Sequence, residues 1–108
     1  MNQLEAFKNI RAFIFDVDGV LTNSRLLVTE EGHLLRSMNT RDGFAIKQAV
    51  RFGFQVFIIT GGNSNGVVRR LSGLGVSKIY AGIHDKMDPF EEILTLHQLD
   101  EDQILYMG

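Results

Sequence analysis

The sequence predicts an α/β fold: a parallel sheet with helices on both faces and a β-hairpin inserted after the first strand. Three observations carry this expectation. Four short apolar runs, at 12–15, 56–59, 78–81 and 104–107, alternate with segments of helical period. The first two runs are continuous rather than alternating, as strands covered on both faces are. Glycines cluster directly after apolar runs, which marks turns at strand ends rather than flexible linkers. Such alternation builds a doubly wound, Rossmann-like sheet. At 108 residues, with no repeat, linker or low-complexity tract, the chain is expected to be one domain.

The elements follow in order. Residues 12–15 (Ala-Phe-Ile-Phe) form the first strand. Two β-like runs at 25–29 and 33–38, separated by Glu30-Glu31-Gly32, read as the inserted hairpin. Residues 41–52 place Ala45, Ile46, Ala49 and Val50 on one helical face, with Thr40 in position to cap. Residues 56–59 are the next strand. Residues 64–74 carry Val67, Val68, Leu71 and Leu74, with Ser64 as cap and Gly75 as stop. After the strand at 78–81, Asp88, Pro89 and Glu91 read as cap, first position and capping box of a third helix. On that helix Phe90, Ile93, Leu94 and His97 keep i, i+3, i+4, i+7 spacing, and His97 is expected to pack. The run at 104–107 is the last strand, with no helix after it before Gly108.

Composition narrows the function. Apolar residues are 44% and charged residues 22%, close to the soluble globular average. Eleven Lys and Arg against 13 Asp and Glu give a net charge of −2, which argues against nucleic-acid binding by bulk charge. The chain has no Cys, hence no disulfide, thiolate nucleophile or thiolate metal site. No apolar run approaches the roughly 20 residues that span a bilayer, and the first residues lack a signal-peptide core. A soluble cytoplasmic protein is the expectation.

Ligands of open α/β sheets lie beyond the carboxyl ends of the strands, so the residues there are the candidates. Asp16 and Asp18, in Asp16-Val17-Asp18-Gly19-Val20, follow the first strand. Two carboxylates at a sheet mouth are costly to desolvate unless a cation compensates them, and Mg²⁺ favours oxygen ligands. The plain alternative is two solvated turn residues. Thr60-Gly61-Gly62 follows the second long strand and precedes a helix N-terminus, an arrangement that suits an anion or is simply a strand-to-helix turn. Lys86 follows the third strand and is either a solvated lysine or a point cation for phosphate. Acid pair, hydroxyl and lysine follow successive strands, so all three converge on one sheet edge.

This order resembles the haloacid dehalogenase superfamily of aspartate-nucleophile phosphohydrolases. Residues 16–21 resemble its first motif, DxDGx(T/V), with Leu21 at the last position; Thr60 matches its second and Lys86 its third. A hairpin in place of a cap domain, and the segment Asn39-Thr40-Arg41-Asp42-Gly43-Phe44, look like its branch of 3-deoxy-D-manno-octulosonate 8-phosphate and sialic-acid-type 9-phosphate phosphatases. The resemblance implies a Mg²⁺-dependent hydrolase of a phosphorylated sugar acid, in that branch serving lipopolysaccharide biosynthesis. It implies Asp16 as nucleophile, Asp18 as acid and base, Thr60 and Lys86 as phosphate ligands, and Asp16 and Asp18 as metal ligands. Gly61, Asn39, Arg41, Asp42 and Arg70 become candidate substrate contacts, and His84 a weaker one. The family's fourth motif, Gly-Asp-Asp after the last strand, is approached by Tyr106-Met107-Gly108 without the acids, so the expectation is a domain lacking its C-terminal part. Gly62 stands where the octulosonate phosphatases often carry Arg.

Two other classes compete: a receiver-type phospho-acceptor module, which needs an acceptor Asp that neither 56–62 nor 78–83 offers, and a non-catalytic subunit of the same fold. The hairpin's Leu26, Leu27, Val28, Leu34 and Leu35 are more apolar than a lone exposed hairpin should be. With the capless site, that leads to the expectation of a homotetramer with the hairpin in its contacts.

Overall fold

The computed structural model describes residues 8–22 and 27–108. The strands that pair into the main sheet are β1 (Ala12–Phe15), β4 (Gln55–Ile59), β5 (Lys78–Tyr80) and β6 (Ile104–Met107), in the order β5-β4-β1-β6. All three pairings are parallel, and the register sets Phe15 beside Ile58 and Met107, so the carboxyl ends lie on one edge. The helices are α1 (Thr40–Arg51), α2 (Asn65–Ser72) and α3 (Met87–Leu96), with a 3₁₀ turn at Glu101–Gln103. From β1 the chain winds outward through β4 to β5, then returns to β6 on the other side of β1. The carboxyl end of β1 therefore lies at the topological switch point, where such sheets bind ligands.

The two sheet faces carry separate cores. Val56 and Ile58 pack with Ile46 of α1 and Val67 and Leu71 of α2 on one face. Ala12, Ile14, Phe57, Ile59 and Tyr80 pack with Ile93 of α3 on the other. Every side chain from Val56 to Ile59 is fully buried, which is why β4 reads as an unbroken apolar run. The first strand departs from that pattern. Ala12 and Ile14 are fully buried, whereas Phe13 and Phe15 are half-buried. Among the described residues no helix covers β6 on the α1 side. An apolar groove of about 210 Å³ remains there, lined by Phe13, Phe15, Ala45, Ala49 and Met107 among others. Ala45, expected on the core face of its helix, is exposed for the same reason.

Three expected helix boundaries are corrected. Asn39, not Thr40, caps α1: its side-chain oxygen accepts from Arg41 N at 2.7 Å. Helix α2 has its Ser64 cap, with Val67 N donating to Ser64 Oγ, but it ends at Ser72 with Gly73 rather than Gly75 as C-cap. Helix α3 begins at Met87, so Asp88 and Pro89 lie inside its first turn and form no capping box. Asp85 instead accepts from Met87 N at 3.0 Å. Two acids three residues apart fit the same capping pattern, and spacing alone did not distinguish them. His97 packs edge-on against Phe57 and meets Gln55 Nε2, as expected of a packed histidine.

The hairpin is present as β2 (Leu27–Val28) and β3 (Leu34–Leu35), antiparallel and turning through Glu30–Gly32, shorter than the expected runs; residues 23–26 lie outside the described ones. Its base is tied by the Thr22–Met38 bridge. It forms its own two-stranded sheet, and Leu27 and Leu35 remain 67% and 48% exposed. Among the described residues, no helix is long and apolar enough to cross a membrane.

Candidate active site

Asp16 is the first residue beyond β1. Its N–H donates to Met107 O at 2.9 Å, so the parallel ladder holds the backbone rigidly up to the carboxylate. One carboxylate oxygen, Oδ1, accepts from Val17 N at 2.7 Å, and Oδ2 accepts from Lys86 Nζ at 2.6 Å. Val17 is buried and anchors the loop. Its carbonyl receives the N–H groups of Val20, Leu21 and Thr22. Gly19, at φ +85°, supplies the left-handed residue this tight loop requires. The loop turns Asp18 toward the hairpin, where Arg36 Nε donates to Asp18 Oδ1 at 3.0 Å.

Thr60 follows β4 and is buried. Its backbone continues the pairing with Tyr80, and its hydroxyl accepts from Gly62 N at 3.1 Å. Gly82 N donates to Gly62 O, so the turns after β4 and β5 brace each other. A Cβ on Gly62 would lie 3.5 Å from Thr60 Oγ1 and 3.6 Å from Asp18 Oδ2, so hydroxyl and carboxylate face each other across that glycine. Lys86 is the N-cap residue of α3 but makes no side-chain cap; it spans back to β1 instead. The hydrogen bond to Asp16 outweighs burial and raises the Lys86 pKa above its ordinary 10.5, so the ammonium is charged throughout the neutral range.

The structure thus brings Asp16, Asp18, Thr60 and Lys86 to one edge, with Gly61 in the turn against Ile83 O. The remaining candidates separate. Arg70 lines a cleft of about 420 Å³ between the hairpin and α2, together with Leu34, Arg36, Met38 and Ser64. Its guanidinium crosses Gly43 so closely that a Cβ there would lie 2.6 Å from Arg70 Nη2. Asn39 and Arg41 line a different cleft, with Thr22 and Ser37, and Asp42 borders the apolar groove beside β6. His84 is exposed. Sequence reasoning missed Arg36. It follows β3 of the hairpin, outside the main sheet, and only the fold of the hairpin carries it over the site.

The donors present suit a small hard cation. They are two carboxylates and main-chain carbonyls, all oxygen, and among the described residues no cluster of three or more His, Cys, Asp or Glu forms a closed cage. Mg²⁺ is bound by such open sets, through one or two carboxylates with water and phosphate completing the shell. In charge, Asp16 and Asp18 are balanced by Lys86 and Arg36. A phosphomonoester dianion would add two negative charges to these two ion pairs.

No family model matches the chain. It is 34% identical over 100 residues to a 3-deoxy-D-manno-octulosonate 8-phosphate phosphatase of Yersinia pestis, covering 93% of this chain and 54% of that protein. The chain thus spans about half the length of the curated relatives it matches. Among solved structures it superposes on a HAD superfamily (subfamily III A) hydrolase of Legionella pneumophila with a TM-score of 0.92 at 34% identity, covering 97% of this chain and 58% of that one. It also superposes on the Moraxella catarrhalis 3-deoxy-D-manno-octulosonate 8-phosphate phosphatase, in complex with magnesium ion, phosphate ion and KDO, with a TM-score of 0.90 at 27% identity, covering 99% of this chain and 63% of that one. In sheet order, in the acid pair at the switch point and over nearly its whole length, the chain is similar to these haloacid dehalogenase superfamily proteins.

Proposed function

We propose that residues 1–108 are a single haloacid-dehalogenase-like domain of a Mg²⁺-dependent phosphatase whose substrate is a phosphorylated sugar acid, 3-deoxy-D-manno-octulosonate 8-phosphate in the first instance. The observation that supports it most is the Asp16–Lys86 contact of 2.6 Å at the carboxyl end of β1, with Asp18 and Thr60 facing each other across Gly62. The names of the relatives support the substrate class.

In this proposal an Asp16 carboxylate oxygen attacks phosphorus, the bond from phosphorus to the sugar oxygen breaks, and an aspartyl-phosphate forms. Asp18 gives its proton to the departing alkoxide. It then takes one from the water that attacks the aspartyl-phosphate, and Asp16 and inorganic phosphate are released. Thr60 Oγ and Lys86 Nζ hold phosphoryl oxygens and offset the charge that develops on them. Asp16 and the Asp18 carbonyl would hold Mg²⁺, which when bound neutralises carboxylate and phosphate repulsion. Arg70, in the neighbouring cleft, would take the substrate's carboxylate, with Gly61 as a further contact; Asn39, Arg41 and Asp42 line other clefts and take no part in this reading. The exposed apolar hairpin supports a homotetramer, acting in the cytoplasm on a small molecule rather than on nucleic acid or membrane.

A panel of phosphomonoesters assayed with the intact protein tests the substrate class. Octulosonate 8-phosphate is expected to give the highest kcat/KM, with the nonulosonate 9-phosphate next. A panel won by nucleotides or simple hexose phosphates refutes it.

A further inference from the structure

The Arg36 guanidinium has no part in the chemistry just described, yet it is built into the site. It leaves the hairpin one residue after β3, and its side chain is only 11% exposed. Its Nε donates to Asp18 Oδ1 at 3.0 Å. Its Nη2 lies 3.6 Å from the position a Cβ on Gly62 would take, the same point that Thr60 Oγ1 and Asp18 Oδ2 approach. Arg36, Asp18 and Thr60 therefore share a space that exists because residue 62 has no side chain.

Asp18 Oδ1 is held from a second direction by Thr22 Oγ1 at 3.4 Å, and Thr22 pairs with Met38 at the hairpin base. Both groups that hold Oδ1 thus belong to the hairpin or its root, while Oδ2 is turned toward the Gly62 side. A carboxylate on a loop, 42% exposed, would otherwise exchange rotamers freely. A largely buried guanidinium is costly without an anionic partner, so the pairing constrains both sides.

We infer that Arg36 is a positioning residue: it fixes the Asp18 carboxylate through Oδ1, leaves Oδ2 for proton transfer, and makes the placement of that acid depend on the hairpin being seated over the site. The role given to Asp18 rests on the proposed function; the anchoring itself does not.

Two measurements on the intact protein separate these. The first is amide hydrogen exchange at Gly32 and His33, whose N–H groups bond Thr29. Loss of one charge-assisted bond is expected to speed exchange there about tenfold in Arg36→Gln and in Asp18→Ala. The double variant should be no faster than either, and Arg36→Lys should be close to wild type. Unchanged exchange in Arg36→Gln, or additive effects in the double variant, overturns the anchoring. The second compares kcat/KM for glycerol phosphate, whose alkoxide needs a proton to leave, with 4-nitrophenyl phosphate, whose phenolate does not. Arg36→Gln should lose roughly tenfold or more beyond its loss on the aryl ester, with partial rescue by Arg36→Lys. Equal losses on both esters overturn the positioning role. If the wild type hydrolyses neither these esters nor octulosonate 8-phosphate, the proposed function fails, and the exchange result alone decides whether Arg36 anchors Asp18.

Discussion

Replacing Lys86 by Met removes the cation from the centre of the site while keeping much of its aliphatic length. The ammonium lies 2.6 Å from Asp16 Oδ2. At that distance two unit charges attract by about 6 kcal/mol for an effective dielectric constant near 20. The pair is not fully desolvated, since the Lys86 side chain is 40% exposed and that of Asp16 20%. Screening and side-chain entropy therefore reduce the net contribution to folding to about 1 kcal/mol, a fall in Tm of about 4–8 °C for a domain this size. The effect on catalysis should be far larger, because the same cation faces charge that grows on the phosphoryl group. Loss of one such preorganised donor costs about 10²–10³ in rate. Thermal unfolding by circular dichroism and steady-state phosphatase assays on the same preparation give both numbers. A folded Lys86→Met protein with kcat/KM within about threefold of wild type would refute the assignment of Lys86 to the phosphoryl group. The pH behaviour has a definite sign. The folded-state pKa of Lys86 is raised, so its contribution is complete below about pH 10.5 and is lost as pH rises through the higher folded value. Lys86 should therefore add no alkaline limb to activity below that point.

Leu71→Ala should cost about 2–5 kcal/mol, because Leu71 is fully buried against Val56 and Ile58 and the space cannot be refilled. Urea unfolding with unchanged m measures it, and a cost under about 1 kcal/mol would contradict the packing. Gly43→Ala should hold or gain up to about 1 kcal/mol, since alanine favours helix and only the mobile end of Arg70 must move. It should nevertheless raise KM for a substrate carrying a carboxylate, and an unchanged KM removes Arg70 from recognition. Dialysis against chelator should abolish turnover and Mg²⁺ should restore it; full activity in excess chelator counts against the charge argument.

Much of this arrangement is legible in the sequence, for reasons that differ by element. Strand β4 is covered on both faces, so its burial is written as a continuous run and needs no partner to interpret. Phe13 and Phe15 look the same in sequence but are half-buried, because cover depends on which helix lies over which strand pair. Asp16 and Thr60 are found together because parallel strands deliver their next residues to one edge, and Lys86 joins them from the start of the helix that follows β5. Helix α3 starts at Met87 with Lys86 as its N-cap residue, and Asp85 rather than Asp88 accepts from Met87 N; in sequence the two acids fit the same capping pattern. Arg36 was invisible for a stronger reason. Its place over Gly62 depends on the register and tilt of the hairpin, and two residue pairs per ladder leave no signature of that register in the sequence.

The account stands on Asp16 as a covalent nucleophile, and trapping tests that most directly. The intact protein, incubated with substrate and Mg²⁺ and quenched in acid, should carry one phosphoryl group on the peptide containing Asp16. The adduct should be labile to hydroxylamine, as acyl phosphates are, and absent from a folded Asp16→Asn variant whose turnover is lost. An active enzyme with no adduct on Asp16, or an Asp16→Asn variant within about tenfold of wild-type turnover, would contradict the covalent mechanism.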